Sequence, residues 1–349
     1  MSYKEKLLGI VEKFERQSVI LAGDIMLDVS ETQRMTKLSD EGFAPVLTNP
    51  NVTYALGGAG NVFANILSLD GHAYLFGVVG YDEFGRKIHG LGNSMDCKFG
   101  EIEGISMAEG RKTTIKRRTI LDGGHYKNLL NIVSWEDTYD IDNKLVNNLL
   151  DILKQKLTLK GNVHVIAFSD YAKGFLTPYL VQQFRELIEE KDVLTIVDPK
   201  PKAHMLNRLD KFKGCYGFKP NLKESETMSG IRSNSDLSNI SDIGRKCVDI
   251  LKPKGFLLIT CGENGMYLFY PNSELIDHTP PHKVEVSDIT GAGDTVLSAL
   301  SLSLSAGASA YDSAMIANLA ASEKVKKRGT ATVSKKELTD FIKRANISF

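Results

Sequence analysis

The feature that most restricts how this chain can fold is a recurring unit, a short β-branched run that ends in a glycine, proline or aspartate loop. It occurs at "SVILAG" (18–23), "VHVIAFSD" (163–170), "VLTIVDP" (193–199), "CYGFKPN" (215–221) and "GFLLITCG" (255–262). Short apolar runs of this kind read as strands buried on both faces. Helical patterns such as "TPYLVQQFRELIEE" (177–190) lie between them, and an amphipathic segment, "MSYKEKLLGIVEKFERQ", opens the chain. Strands alternating with helices imply βαβ units. The expected fold class is α/β, with a mostly parallel central sheet and helices on both faces. Ligands of such sheets bind in the loops at the carboxyl ends of the strands.

One region breaks this rhythm. "KTTIKRRTIL" and "HYKNLLNIV" alternate in period two around Asp122-Gly123-Gly124, a hairpin pattern over 112–133. The polar segment 29–56 lacks helical period and is expected to join that hairpin in a small sheet standing off the main one. A single domain over 1–349, with these segments as an appendage, is the expected organisation. Lysine plus arginine equals aspartate plus glutamate at 43 each, so no overall field attracts nucleic acid or an anionic membrane, and neither is an expected partner. Any phosphate binding must be local. The four cysteines lack zinc-like or paired spacing, which predicts a reducing, cytoplasmic setting. No apolar run approaches the length of a membrane span, and no leader is expected at the start.

Four loops carry candidate chemistry. "ALGGAGNVFANILSLDG" (55–71) is a glycine turn entering a helix with Val62, Ile66 and Leu69 on one face. Its glycines allow close approach of a ligand or simply make a tight turn, and Asn61 can bond hydroxyls. The third glycine of a dinucleotide fingerprint is missing, and no P-loop motif exists in the chain. In "GFKPNLKESE", Asn221 and Glu224 are spaced either for a hydrated Mg²⁺ near phosphates or for a helix capping box. "ITCGENGMYLF" (259–269) reads as strand, glycine turn, strand. The fourth loop is "SDITGAGDTVLSAL" (287–300), which follows the β-prone "HKVEVSD". Gly291, Ala292 and Gly293 free successive amides at a helix start, which makes an anion hole. Asp294 would be a helix cap or, being ionised at neutral pH, a base that takes a proton from a hydroxyl while the amides hold a phosphoryl group. A cap alone leaves the two flanking glycines unexplained. Val296, Leu300 and Leu304, at steps of four, favour a helix over the strand that the serine alternation suggests.

Taken in order, Gly58…Asn61, Asn221…Glu224, Thr260-x-Gly262 and Asp288-x-x-Gly-Ala-Gly-Asp294 resemble the ribokinase-like (PfkB) carbohydrate kinases over nearly the whole chain. "GDIMLD" (23–28), "SDYAKG" (169–174), "DPK" (198–200), "KPNLKE" (219–224) and "GTATVSKKEL" (329–338) are most similar to members that act on D-glycero-β-D-manno-heptose 7-phosphate. The resemblance implies a ribokinase-like three-layer sandwich with a small β lid, ATP and Mg²⁺ as cofactors, K⁺ as a further candidate, and a homodimer formed through the lid. It makes Asp294 the base at the anomeric hydroxyl. Asp28, Gly57, Gly58, Asn61 and Asp170 would hold the sugar, Asn221 and Glu224 would organise Mg²⁺ and phosphates, and Thr260, Gly262 and Asn318 would line the ATP site. Asp288 would hold a loop or a monovalent cation. Strand alternation places Lys116 and Arg118 on one lid face and Arg117 on the other, so Lys116, Arg118 and Lys173 are candidates to grip a sugar phosphate. Bifunctional members carry a nucleotidyltransferase after the kinase, and the kinase alone is expected here. Another acceptor (fructose 6-phosphate, ribose or fructose) and a non-catalytic sugar or nucleotide sensor remain alternatives.

Overall fold

The computed structural model describes residues 2–42, 45–95, 100–122, 127–135, 141–159, 163–189 and 191–347. In chain order its strands are β1 (Ser18–Gly23), β2 (Ile25–Leu38), β3 (Pro45–Gly58), β4 (His72–Gly80), β5 (Gly100–Ala108), β6 (Ile115–Asp122), β7 (Lys127–Trp135), β8 (Val163–Ser169), β9 (Leu194–Asp198), β10 (Gly217–Phe218), β11 (Phe256–Thr260), β12 (Met266–Phe269) and β13 (Ile276–Thr279). Nine form one sheet in the order β13-β12-β11-β10-β9-β8-β1-β4-β5, and four form a second, β3-β2-β6-β7. From β11 to β5 every pairing in the large sheet is parallel, while β12 and β13 add an antiparallel edge.

The run "SVILAG" shows why this sheet needs two covers. Val19 and Leu21 belong to one apolar core, whereas Ile20 and Ala22 belong to the other. The first core is closed by the helices Tyr3–Glu12, Ala59–Ser68, Ala292–Ser305 and Ala310–Lys324, through residues such as Leu7, Phe63, Leu297 and Ala317. The second is closed by Asn143–Leu159, Pro178–Glu186 and Ile240–Leu251, through Leu149, Phe184 and Ile243. The result is a sheet covered by helices on both faces, as the alternation predicts, in the three layers that the resemblance implies. Local signals set the helix starts: Thr177 Oγ1 accepts the Leu180 N–H at 3.1 Å with Pro178 in the first turn.

Two expected strands differ. The ladder of "CYGFKPN" is confined to Gly217–Phe218, with one isolated bridge from Asn221 to Thr260, because Pro220 has no N–H for a ladder and the chain then turns into the helix Leu222–Ser229. "HKVEVSD" forms no strand. The Ser287 and Asp288 amides instead donate to the Val325 carbonyl, and Val286 lies exposed without a neighbouring strand. Leu300–Leu304 is helical, and "ITCGENGMYLF" is the β11–β12 hairpin.

Segments 29–56 and 112–133 do share the second sheet, but its strands are longer than expected and begin at the main sheet. β2 leaves one residue after β1, buried from Ile25 to Val29 and exposed beyond Arg34. It pairs antiparallel with β3 and parallel with β6, so Asp28 lies opposite Lys116. Gly123 and Gly124 of the expected turn, and Cys97, lie outside the described residues. Among the described residues no helix is long and apolar enough to cross a membrane.

Candidate active site

The carboxyl ends of β8, β9, β10 and β11 deliver Tyr171, Asp198, Lys219 and Thr260 to one cavity of about 210 Å³, which Gly291, Gly293 and Asp294 close from the opposite side. A larger hollow of about 700 Å³ opens near the amino end of β9, around Leu194 and Tyr216. Size does not decide between them; the convergence of charged groups and helix-start amides does.

Asp294 sits in the first turn of Ala292–Ser305 and is 7% exposed, yet its carboxylate does not cap the helix. Oδ2 accepts from Asn61 Nδ2 at 2.6 Å and Oδ1 accepts from the Tyr171 hydroxyl at 2.9 Å. Burial pushes its pKa upward, opposed by those two bonds and by the Lys219 charge. Gly291 precedes the helix at φ 78°, where a side chain would be strained and a Cβ would lie 2.8 Å from Asn61 Nδ2. The anion hole is narrower than expected. The Ala292 N–H is turned onto the Ile289 carbonyl at 3.2 Å, which leaves the Gly293 and Asp294 amides without an acceptor among the described residues. Lys219 makes up the difference. It is 2% exposed, its Nζ lies 3.0 Å from Asp198 Oδ2, and a Cβ on Gly293 would be 3.5 Å from it. Burial alone would lower its pKa, but Asp198 and Glu224 raise it, so it stays an ammonium.

The second sheet supplies the other wall. Arg118 Nη1 contacts Asp28 Oδ1 at 2.8 Å, while Arg117 turns to the opposite face and meets Glu31 at 3.3 Å, as strand alternation requires. Burial and the neighbouring Arg118 lower the pKa of Lys116, which also feels Asp28, Lys200 and Asp294. Gly57 abuts Asp28, and Gly58 adopts φ 58° with its Cα against the Asp24 carbonyl, the bend that leads β3 into the Asn61 helix. Asp28, Gly57, Gly58, Asn61, Lys116, Arg118 and Asp294 thus stand together. Sequence reasoning missed Asp24, whose buried carboxylate accepts the N–H groups of Tyr171, Lys173 and Phe175 and so holds the loop that carries Tyr171.

The remaining candidates divide. Asn221 and Glu224 form the capping box: Asn221 Oδ1 accepts the Glu224 N–H at 2.8 Å, and Glu224 Oε2 accepts the Asn221 N–H at 2.9 Å. Lys200 Nζ donates to the other Glu224 oxygen at 2.7 Å, and both Asn221 and Glu224 still line the cavity. Thr260 bridges to Asn221, and Gly262 turns the chain at φ 57° into open space. Asn318 is held away, its amide donating to the Pro280 carbonyl at 2.7 Å. Asp170 borders the cavity but binds Lys211 Nζ at 3.2 Å and the Ala172 N–H. The backbone of Lys173 is tied at both ends, to Asp24 and to Arg111. Asp288 accepts the Thr290 and Gly329 N–H groups at 2.9 and 2.7 Å, so it holds a loop. The cation beside it is the buried Lys324.

This arrangement can bind a phosphoryl group between two amides and an ammonium, with a carboxylate base alongside. The donor set also fits magnesium nucleotide. Asp198 and Glu224 line the same cavity and are the oxygen donors that a hydrated Mg²⁺ takes beside phosphates.

Residues 16–337 match the model of the pfkB family carbohydrate kinases. The chain belongs to that family. As a pfkB carbohydrate kinase it is an ATP-dependent phosphotransferase. It is 33% identical over 335 residues to the bifunctional protein HldE of Caulobacter vibrioides, and 30% identical over 330 residues to that of Wolinella succinogenes. These matches take in 96% and 94% of this chain but 65% of each relative, so the chain spans about two thirds of their length. The fold matches Escherichia coli phosphofructokinase-2, solved in complex with potassium, at TM-score 0.70 and 17% identity over 94% of this chain and 98% of that one. It also matches Arabidopsis thaliana ribokinase, solved with ribose and ATP, at TM-score 0.67 and 17% identity over 94% and 99%.

Proposed function

We propose that this kinase transfers the γ-phosphoryl group of ATP to the C1 hydroxyl of D-glycero-β-D-manno-heptose 7-phosphate, giving the 1,7-bisphosphate that ADP-heptose and lipopolysaccharide core synthesis would use. Likeness to the HldE proteins supports the heptose. The observation that carries the reading is the pair of lid cations on the same wall as Asp28, Arg118 bound to Asp28 and Lys116 within electrostatic reach of Asp294. A base and a phosphate grip on facing walls suit a sugar that enters already phosphorylated.

In this reading Asp294 takes the C1 hydroxyl proton, oriented by Asn61 and Tyr171. The Gly293 and Asp294 amides and Lys219 hold the phosphoryl oxygens, Thr260 borders the nucleotide, and Asn221 with Glu224 shapes the floor beneath the phosphates. Magnesium, when bound, would neutralise phosphate charge, near Asp198 and Glu224. Little covalent help is needed, because positioning and charge supply most of the acceleration. We assign 1–349 as one kinase domain with the second sheet as its lid. The lid's exposed Met35, Leu38, Ile132 and Val133 suit a homodimer, and free buried Cys215, Cys247 and Cys261 suit the reducing cytoplasm.

The test is product identification by mass spectrometry and phosphorus NMR after incubation with ATP, Mg²⁺ and heptose 7-phosphate, beside fructose 6-phosphate, ribose and fructose. A 1,7-bisphosphate formed with the best kcat/KM supports the assignment. Preference for another acceptor moves the substrate and keeps the kinase, and ligand stabilisation without ADP from any sugar makes the chain a sensor.

A further inference from the structure

Lys324, the last residue of the helix Ala310–Lys324, is 0% exposed. Its Nζ donates to the backbone carbonyls of Gly329 at 3.0 Å and Lys327 at 3.3 Å. Its stem passes the anion hole, since a Cβ on Gly291 would lie 3.6 Å from Lys324 Cε. Asp288 closes the same clasp, one oxygen on the Thr290 N–H and the other on the Gly329 N–H, while the Ser287 and Asp288 amides donate to the Val325 carbonyl. Segments 287–291 and 324–329 are therefore laced together around the buried Lys324, whose Nζ has two backbone carbonyls within hydrogen-bond distance, while the nearby Asp288 carboxylate is spent on backbone N–H groups. Backbone carbonyls and a carboxylate are the donors that a hard metal cation takes. Here the chain's own Lys324 amine holds that place: burial and the neighbouring Lys327 lower its pKa, and Asp288 and Asp294 act against that lowering in favour of the ammonium. A buried ammonium without such partners would be costly, so the two carbonyls and Asp288 explain why it is tolerated.

We propose that Lys324 is a tethered monovalent cation, which braces the loop feeding the anion hole so that this kinase works without potassium from solution. Lys324 touches neither sugar nor nucleotide and is a positioning residue: it acts through Gly291 and the 287–291 loop. The activity part of this inference rests on the kinase reading, whereas the stability part does not.

The test follows melting temperature and ADP release for the wild type and Lys324→Ala in potassium-free buffer, titrated with potassium chloride against choline chloride at equal ionic strength. The wild type is expected to give the same melting temperature and turnover in both salts. Lys324→Ala, with the ammonium deleted and a carbonyl-lined hole in its place, is expected to melt lower and turn over at least about tenfold more slowly, within the usual range of coupling between sites. Potassium or ammonium chloride then raises both readouts in the variant and choline does not, along the saturation curve of an ion that binds only the folded state. Lys324→Met, which fills the space without charge, stays slow in every salt. Three results overturn the proposal: a wild type that melts higher or works several-fold faster in potassium than in choline, a Lys324→Ala that is unimpaired in choline, or one that is impaired and gains nothing from potassium. If Lys324→Ala does not fold, the wild-type titration decides alone. Failure of every sugar to yield ADP refutes the kinase reading, and the melting curves still judge Lys324.

Discussion

Replacing Asp294 by asparagine tests the centre of the site with little change of shape. The carboxylate takes one hydrogen bond from Asn61 and one from Tyr171. In Asp294→Asn the amide oxygen can keep the Asn61 bond, and the new NH₂ meets the Tyr171 hydroxyl, which accepts as readily as it donates. Lys219 is not orphaned, because its ammonium stays on Asp198. The fold should therefore persist, with a melting shift under about 5 °C. Basicity is lost, and a positioned base contributes about 10²- to 10⁴-fold, or about 2.7 to 5.4 kcal/mol at 1.36 kcal/mol per tenfold. The Gly293 and Asp294 amides and Lys219 remain, so residual turnover and unchanged ATP affinity are expected. Turnover is read by ADP release at saturating sugar and ATP, and nucleotide affinity by calorimetry. A variant that keeps turnover within about threefold of the wild type, with normal ATP binding, refutes Asp294 as the base.

Tyr171→Phe removes a bond that stabilises the ionised form of Asp294, so the carboxyl pKa rises further and the acidic limb of the kcat profile moves to higher pH; a limb that stays put reduces Tyr171 to packing. Lys219→Met is expected to lower kcat by about a hundredfold, as loss of an oxyanion donor does, and to destabilise the fold by leaving buried Asp198 unpaired. The double change with Asp198→Asn restores the melting temperature but not turnover if the charge serves transfer. Arg118→Ala and Lys116→Ala should each raise KM for a phosphorylated sugar about tenfold or more, with KM for ATP unchanged; equal rises in both dispose of the phosphate grip. Ile132→Glu on the exposed lid face should shift the protein to a monomer in sedimentation, and an unchanged sedimentation coefficient removes the lid as the dimer surface.

Much of this molecule is legible in its sequence. The strand "SVILAG", the turn entering the Asn61 helix, the Asn221–Glu224 box and the Gly291–Asp294 helix start all depend on period, caps and turn residues within a few positions of one another. Where a local pattern misleads, tertiary context overrules it. "HKVEVSD" has strand propensity but no strand beside it, and the Ala292 amide is spent on a turn carbonyl. The choice of partners is not legible at all. Asp294 meets Asn61 across 233 residues and Tyr171 across 123, while Lys219 and Lys324 look like ordinary lysines in the sequence.

The sequence by itself determined the α/β class, the glycine-led helix start at Gly291 and its candidate base, because backbone conformation answers to neighbours along the chain. Only the tertiary structure decided which charges face one another, because the parallel sheet lines up strand ends far apart in sequence. In the low-dielectric space between those ends a lysine either pairs with a carboxylate and backbone oxygens or is expelled. That is why Lys219 stands beside Gly293 paired with Asp198, and Lys324 beside Gly291 bonded to backbone carbonyls.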